Sequence, residues 1–143
     1  MMEVTKIFSF EMAHAIQGYQ GACRHIHGHS YILHISVSHT QLPSGYLPDP
    51  GFIIDFKQLK QIVKSNVIDR FDHSLVVSQA YLKEHPGFLI QENCEVWEYE
   101  PTAENILLFI LNLLGKEMPP DIKITSAKLY ETKDSYVSWM PDK

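Results

Sequence analysis

The stretch Cys23-Arg-His-Ile-His-Gly-His-Ser-Tyr31 decides the fold of this 143-residue chain. An alternating run of apolar and polar residues continues from it, and this period of two predicts a β-strand with one buried face over 29–39. Residues i and i+2 of a strand project from the same face, about 6–7 Å apart. His27 and His29 therefore point the same way, and two imidazoles at this spacing can bind one metal ion.

A second alternating segment, residues 3–14, predicts the neighbouring strand and ends at a further histidine. If the two strands pair in antiparallel fashion, His14 can lie opposite His27, and Phe10 can lie opposite Tyr31. The apolar faces of both strands then coincide. Three imidazoles are thereby predicted to meet at one end of the sheet.

The predicted ligand set is His14, His27 and His29. His25 lies about 13 Å from His29 along an extended strand, which is too far for it to bind the same ion easily. Three histidines without a fourth protein ligand are typical of a catalytic zinc with an open position, whereas a structural zinc usually has four ligands. Cys23 is open to three interpretations: a catalytic thiol, a buried small apolar residue, or a fourth ligand of a closed site.

Length and composition predict one globular domain over residues 1–143, with 45% hydrophobic and 20% charged residues. The net charge of −5 and the lack of a basic run argue against nucleic acid and anionic membrane surfaces as partners. No apolar stretch has the length of a membrane span, and the first residues lack the pattern of a signal peptide. Two cysteines are too few for a disulfide framework, so we expect a cytoplasmic protein.

The middle of the chain predicts two helices. Asp55 is a suitable N-cap for the first helix, whose apolar stripe runs to Val67. Thr102 is a suitable N-cap for the second helix, which has its own apolar stripe and ends near Gly115. The proline-rich residues 40–51 before the first helix predict a loop.

Two more strands are predicted after the second helix, at 121–131 and 135–140. Residues 80–101 predict a long connection that contains a strand near 95–99. The order β-β-α-α-β-β indicates the α+β class, with an antiparallel β-sheet and two helices on one of its faces.

Five motifs occur in one order along the chain, and together they resemble the 6-pyruvoyl-tetrahydropterin synthase family, which includes the bacterial 6-carboxy-tetrahydropterin synthases. In the second motif the first histidine follows the cysteine by four positions, and this spacing is similar to that of the carboxy-forming branch. The motifs are His14, Cys23-x-x-x-His27-Gly-His29, Phe71-Asp72-His73, Pro101-Thr102-Ala-Glu104-Asn105 and Leu129-Tyr-Glu131.

The resemblance implies the tunnelling fold, in which subunits join their sheets edge to edge into a β-barrel. It also implies a hexamer-type homo-oligomer with active sites at the subunit interfaces. This assembly is physically reasonable, because an open antiparallel sheet leaves edge strands that need covering, and closed symmetric oligomers are the usual solution.

The resemblance also implies roles for individual residues. It assigns zinc to the three histidines and makes Cys23 the general base that removes a carbon-bound proton. Asp72 and His73 complete a proton relay. Glu131 anchors the pterin through its carboxylate, and Thr102 and Glu104 border the pterin pocket.

The activity implied by the resemblance is a zinc-dependent lyase reaction on 7,8-dihydroneopterin triphosphate. The product is 6-carboxy-5,6,7,8-tetrahydropterin, with release of triphosphate and acetaldehyde, a step towards queuosine. Two alternatives remain open at this stage: formation of 6-pyruvoyl-tetrahydropterin with the side chain retained, and a non-catalytic zinc-stabilised pterin-binding protein.

Two departures from the family's pattern concern the substrate. Ala15-Ile16 stand where many family members carry a basic residue, so a phosphate contact is missing there. Arg24 and Lys133 are the candidates for a local basic patch. The connection over residues 83–98 is longer and more acidic than the resemblance predicts, and it could lie over the pocket.

Overall fold

The computed structural model describes all 143 residues, and its main feature is one six-stranded sheet in the order β4-β3-β1-β2-β5-β6. The strands are β1 (Val4–His14), β2 (His27–His39), β3 (Ser74–Ser78), β4 (Cys94–Trp97), β5 (Ile122–Thr132) and β6 (Ser135–Trp139). The helices are α1 (Phe56–Val63), which continues through a π-helical turn (Lys64–Ile68) into α2 (Asp69–Phe71), then α3 (Gln79–Glu84) and α4 (Ala103–Gly115). None of these helices is both long and apolar enough to span a membrane.

The pairing of β1 with β2 confirms the predicted register. The strands are antiparallel, His14 pairs with His27, and Phe10 pairs with Tyr31. β2 begins two residues earlier than the alternation predicted, so that His27 is itself part of the ladder. The side chains of Phe10 and Tyr31 are buried, at 2% and 0% exposure, and they form the floor beneath the histidines.

The α+β class is confirmed, but the sheet is mixed rather than wholly antiparallel. β3 runs parallel to β1, and β4 runs parallel to β3. The reason is topological: the segment α1–α2 carries the chain past β1, so that β3, which runs opposite to β2, pairs with the far edge of β1 in the parallel direction, and β4 follows β3 through the crossover that contains α3. The sequence indicated only a short apolar piece ending at Val77 and a strand near 95–99, because strands of four or five residues carry too little alternation to read.

Helices α1 and α4 lie on one face of the sheet, as predicted, and share its main hydrophobic core. Both predicted N-caps are present. The Asp55 carboxylate accepts a hydrogen bond from Lys57 N at 2.8 Å, and Thr102 Oγ1 accepts one from Asn105 N at 3.2 Å. Below we call this helix-packed side of the sheet the covered face.

The other side of the sheet, which we call the open face, is covered only at its β3–β4 end, where Tyr81 of α3 packs against Val77. Alternate residues of β1 and β2 project from it, among them Ile7, Glu11 and Ser30, which are all exposed. At the end of β1 and the start of β2, side chains are therefore more buried where they project from the covered face than where they project from the open face.

The difference in burial between two side chains of α4 leads to a prediction about stability. Replacing Ile110, which is fully buried, by alanine should lower the free energy of unfolding by about 2–5 kcal/mol, because it removes apolar contacts and leaves a cavity. Replacing Leu108, which is 53% exposed on the same helix, should change it by about 0.5 kcal/mol or less. Urea unfolding of both variants at one protein concentration checks this, and equal losses would contradict the packing of α4.

Candidate functional site

Four side chains converge at the end of the β1–β2 pair. His14 Nε2 lies 3.0 Å from His27 Nε2, and Glu131 Oε1 lies 2.8 Å from His29 Nε2 and 3.3 Å from His14 Nε2. One ligand atom from each of the four residues falls within 4.8 Å of all the others. The predicted three-histidine cluster is therefore present, with Glu131 as a fourth member.

Backbone carbonyls hold two of the rings in the orientation that a metal ligand needs. His14 Nδ1 donates to Pro101 O at 2.7 Å, and His27 Nδ1 donates to His25 O at 2.7 Å. Because a neutral imidazole carries one proton, a donating Nδ1 leaves Nε2 with a free lone pair. Metal-bound histidines are fixed by such second contacts. The lone pairs of His14 and His27 are thus directed at the same small volume.

Two buried side-chain polar atoms lack a regular hydrogen-bond partner, and they are His29 Nε2 of the cluster and Oη of the neighbouring Tyr31. His29 Nε2 has instead a contact with the charged carboxylate of Glu131, whose Oε1 lies 2.8 Å away. Buried polar atoms are almost always paired, so two exceptions in one place indicate a missing ligand. A divalent cation bound to the imidazole nitrogens would satisfy His29. The residues present fit a metal ion.

The electrostatics of the cluster favour the protonation states that bind a cation. Burial lowers the pKa of His29, and His14 and His27 lower it further against the opposing effect of Glu131. His14, followed by His29 and His27, holds the pKa of the Glu131 carboxyl below its usual range, although burial acts in the other direction. Neutral imidazole and ionised carboxylate are the forms that metal binding requires.

The predicted Asp72–His73 pair is held by the backbone of β1. Glu11 N donates to Asp72 Oδ1 at 2.9 Å, and this hydrogen bond is the main reason that the pKa of Asp72 is lowered. His73 N donates to Glu11 O at 2.6 Å, and His73 Nδ1 lies 3.0 Å from Asp72 Oδ2. His73 has a φ of 63°, a left-handed backbone that a non-glycine residue rarely adopts without such contacts.

Asn93 is a contact of this pair that sequence reasoning missed. Its Nδ2 donates to His73 O at 3.0 Å, and its own carbonyl accepts from Leu75 N at 3.0 Å. Asn93 thereby holds the carbonyl of His73 and the start of β3. Together with Glu11 and Ser30 it also lines a cavity of about 410 Å³ beside His73. One asparagine in an irregular connection gives no local signal of this role.

Within one chain, His73 lines the same cavity as His29, but the predicted catalytic groups make no polar contact with the cluster. No hydrogen bond or ion pair joins Cys23, Asp72 or His73 to its four members. The Asp72–His73 pair lies beside Glu11 and Ser30, which belong to the open face, whereas the histidines of the cluster belong to the covered face.

Cys23 lies in a short 3-10 turn (Ala22–Arg24) just before β2, and its side chain is exposed. The interpretation of Cys23 as a buried apolar residue is therefore wrong. The cluster of four also does not contain its thiol. A hydrogen bond from Ile16 N to Cys23 O, at 2.8 Å, closes the segment that joins β1 to β2. The exposed thiol thus lies in the segment that joins the end of β1 to the start of β2, where the histidines of the cluster are.

Residues 3–142 match the family described as 6-pyruvoyl tetrahydropterin synthase. The chain belongs to this family. The chain is 34% identical to the 6-carboxy-5,6,7,8-tetrahydropterin synthase of Haemophilus influenzae over 143 residues, which cover 97% of this chain and 99% of that one. It is 30% identical to the protein of the same name from Rickettsia bellii over 145 residues, which cover 96% and 99%.

Solved structures share the fold of this 6-pyruvoyl tetrahydropterin synthase family member. The 6-pyruvoyl tetrahydropterin synthase of Caenorhabditis elegans aligns over 99% of this chain and 96% of its own, with a TM-score of 0.70 and 19% identity. The uncharacterized protein WS1659 from Wolinella succinogenes aligns over 99% and 98%, with a TM-score of 0.77 and 17% identity. At these identities the likeness concerns the fold alone.

Metal binding should depend on the covered face of β2. We expect His29→Ala to weaken zinc binding by at least tenfold, because it removes one of the three imidazole donors. His34→Ala changes the same strand on its open face and should bind zinc like the parent chain. Zinc at a free concentration of 100 times its Kd should stabilise the parent chain by about 2.7 kcal/mol.

Equilibrium dialysis with metal analysis, together with urea unfolding with and without zinc, measures both effects. Equal zinc binding by the two variants would contradict the assignment of the cluster.

Proposed function

We propose that this chain is a zinc-dependent lyase that converts 7,8-dihydroneopterin triphosphate to 6-carboxy-5,6,7,8-tetrahydropterin, with release of triphosphate and acetaldehyde. The observation that carries the proposal is the convergence of three imidazole nitrogens and Glu131 on one volume. The relatives from Haemophilus influenzae and Rickettsia bellii, similar over nearly their whole length, are named as synthases of this product. We also propose that residues 1–143 act as one pterin synthase domain.

Zinc is the proposed cofactor, and His14, His27 and His29 are its proposed ligands. Three nitrogen donors are a typical set for catalytic zinc. When bound, zinc supplies Lewis acidity that polarises hydroxyl and keto oxygens of the substrate side chain. The carbonyls of Pro101 and His25 hold two of the rings in place, which orients the donors before any ligand arrives.

Cys23 is the proposed general base, which takes a proton from a side-chain carbon of the substrate. Its exposure supports this role, because a base must reach the proton it removes. Both cysteines of the chain are free thiols, which supports the cytoplasmic location that we propose.

Asp72 and His73 are the proposed proton relay, and we propose that they serve the cluster of a neighbouring subunit. Within one chain Asp72 is held by Glu11 N on the open face, and neither Asp72 nor His73 is among the four residues that converge on one volume, although His73 shares a cavity with His29. A homo-oligomer of the hexamer type, with active sites at the subunit interfaces, would bring the two sets together. The short, unpaired edges of β4 and β6 support edge-to-edge joining of subunits into a barrel.

The pterin ring is proposed to bind at Glu131, whose carboxylate can accept two hydrogen bonds from the amino and ring N–H groups. The lowered pKa of Glu131 supports this role, because the carboxylate is ionised at neutral pH. Thr102 and Glu104 are proposed to border the pocket. Thr102 Oγ1 accepts the capping hydrogen bond of α4, and its O–H can still donate to a ligand. Glu104 is exposed in the first turn of the same helix.

Product analysis tests the proposal. Zinc-loaded protein is incubated with 7,8-dihydroneopterin triphosphate, and triphosphate and acetaldehyde are measured together. Release of both in equal amounts is the expected result. Triphosphate without acetaldehyde would instead indicate the pyruvoyl-forming reaction. Release of neither product by protein with zinc bound would overturn the proposed substrate and leave a non-catalytic pterin-binding role.

Cys23→Ala should lower kcat by about 10²–10⁴-fold, the range expected when a general base is lost. Zinc content should not change, because the thiol is not part of the cluster. Cys94→Ala provides the matched control, since Cys94 is the other free thiol and lies in β4. A Cys23→Ala protein that kept full activity would exclude Cys23 as the base.

Asn93→Ala should lower kcat by about tenfold or more while KM changes little, because the hydrogen bond to His73 O helps to hold the relay in its left-handed conformation. Asn93 is thus a positioning residue. Asn112→Ala, an exposed asparagine on α4, is the control. The pH profile of kcat should change in Asn93→Ala alone, and unchanged kcat and pH profile would show that Asn93 has no such role.

A further inference from the structure

A polar cavity of about 430 Å³ lies beside the segment that carries Cys23. Residues of this segment form one side, and the end of α3 with the residue that follows it forms the other. Apart from Gly18 and Tyr19, its lining is polar or charged: Gln17, Gln20, Arg24, His25, Glu84 and His85.

Arg24 has no carboxylate partner. The chain has two arginines, and the other, Arg70, is bound to Glu95 by three hydrogen bonds. The polar side-chain contact of Arg24 is His25, whose Nε2 lies 3.4 Å from Arg24 Nε. The planar fork of a guanidinium matches the oxygens of a phosphate group. An unpaired arginine in a polar cavity therefore indicates an anionic ligand.

His85 is held at the edge of the cavity by Tyr81. The two rings stack with centroids 4.1 Å apart, and His85 Nδ1 donates to Tyr81 O at 2.9 Å. Nε2 is left as the ring atom available to a ligand. His85 follows α3 in the irregular connection to β4, where no local pattern predicts its place beside Arg24.

Two glycines shape the cavity wall. Gly18 has a φ of 82°, which suits a residue without a side chain. A Cβ on Gly21 would lie 2.5 Å from the ring of Tyr19, which itself lines the cavity. The segment thus folds back closely on itself. The ring of Tyr19 can pack against the backbone of Gly21 because Gly21 has no side chain.

Two lining residues, His25 and Arg24, connect the cavity to the cluster and to the proposed base. The carbonyl of His25, a lining residue, accepts the hydrogen bond from His27 Nδ1 at 2.7 Å, and Cys23 is next to Arg24 in the chain. In the proposed substrate, three side-chain carbons separate the pterin from the triphosphate. A group bound at Arg24 would therefore lie within reach of a side chain held at the cluster.

We propose that this cavity binds the triphosphate group of the substrate, with Arg24 as the principal contact and His85 as a second one. The proposal rests on the proposed function. It also accounts for the missing basic residue at Ala15-Ile16, because Arg24 supplies a positive charge from the same segment. Glu84 is the single carboxylate of the lining, and its charge opposes binding.

Binding of inorganic tripolyphosphate to the zinc-loaded protein, measured by isothermal titration calorimetry, tests the site without turnover. Arg24→Gln should weaken binding by at least tenfold, and His85→Ala should weaken it by a smaller factor. Glu84→Gln should tighten it several-fold, because it removes a repulsive charge. Lys83→Gln is the matched control: it removes an exposed charge next to Glu84 that does not line the cavity, and binding should stay within about twofold.

Zinc content is measured before and after each titration, since tripolyphosphate can also bind zinc. Equal binding by the parent chain, Arg24→Gln and Lys83→Gln at equal zinc content would overturn the proposal, as would the absence of binding by the parent chain at millimolar tripolyphosphate.

Steady-state kinetics separates this inference from the proposed function. With 7,8-dihydroneopterin triphosphate, Arg24→Gln should raise KM at least tenfold and change kcat less, and an unchanged KM would overturn the substrate role of the cavity. If the parent chain showed no turnover but still bound tripolyphosphate through Arg24, the proposed reaction would fail while the polyphosphate site would stand.

Discussion

The antiparallel register of β1 and β2 is the constraint on which the rest of this structure depends. A shift of one residue would turn every side chain of a strand to the other face of the sheet, so the apolar faces of both strands exclude such a shift from the observed pairing. That pairing puts Phe10 opposite Tyr31, where their rings stack with centroids 5.2 Å apart. The same pairing puts His14 opposite His27. The same strand pairing therefore packs the core and assembles the cluster.

Core packing also determines the chemistry of the cluster. The buried ring of Tyr31 lies 5.5 Å from the ring of His29, so the imidazole has an apolar floor on one side. Burial is the main reason that the pKa of His29 is lowered, and a neutral imidazole is the form that binds a metal ion. A change that loosened the floor would alter metal binding without touching a ligand. Stability and metal affinity are coupled in this fold.

Alternation along the chain was enough to predict the β1–β2 register, the two N-caps and the meeting of His14 with His27 and His29, because each follows from local periodicity and one pairing. β3 and β4 escaped prediction as parallel strands, since parallel pairing depends on which edge of the sheet β3 joins and on the short crossover through α3. The contact of Pro101 O with His14 and the hydrogen bond from Asn93 to His73 join residues far apart in the chain. Such contacts arise only after the sheet and the helices have packed.

The two faces of the sheet divide the proposed chemistry between them. The cluster belongs to the covered face and needs the dry floor of the core, whereas His73 is 80% exposed beside the open face. A proton relay must exchange its proton, so exposure suits it, and a metal ligand must be neutral, so burial suits it. We infer that pairing between subunits allows both environments at one substrate, because a neighbouring subunit can bring its exposed Asp72–His73 pair to the buried cluster.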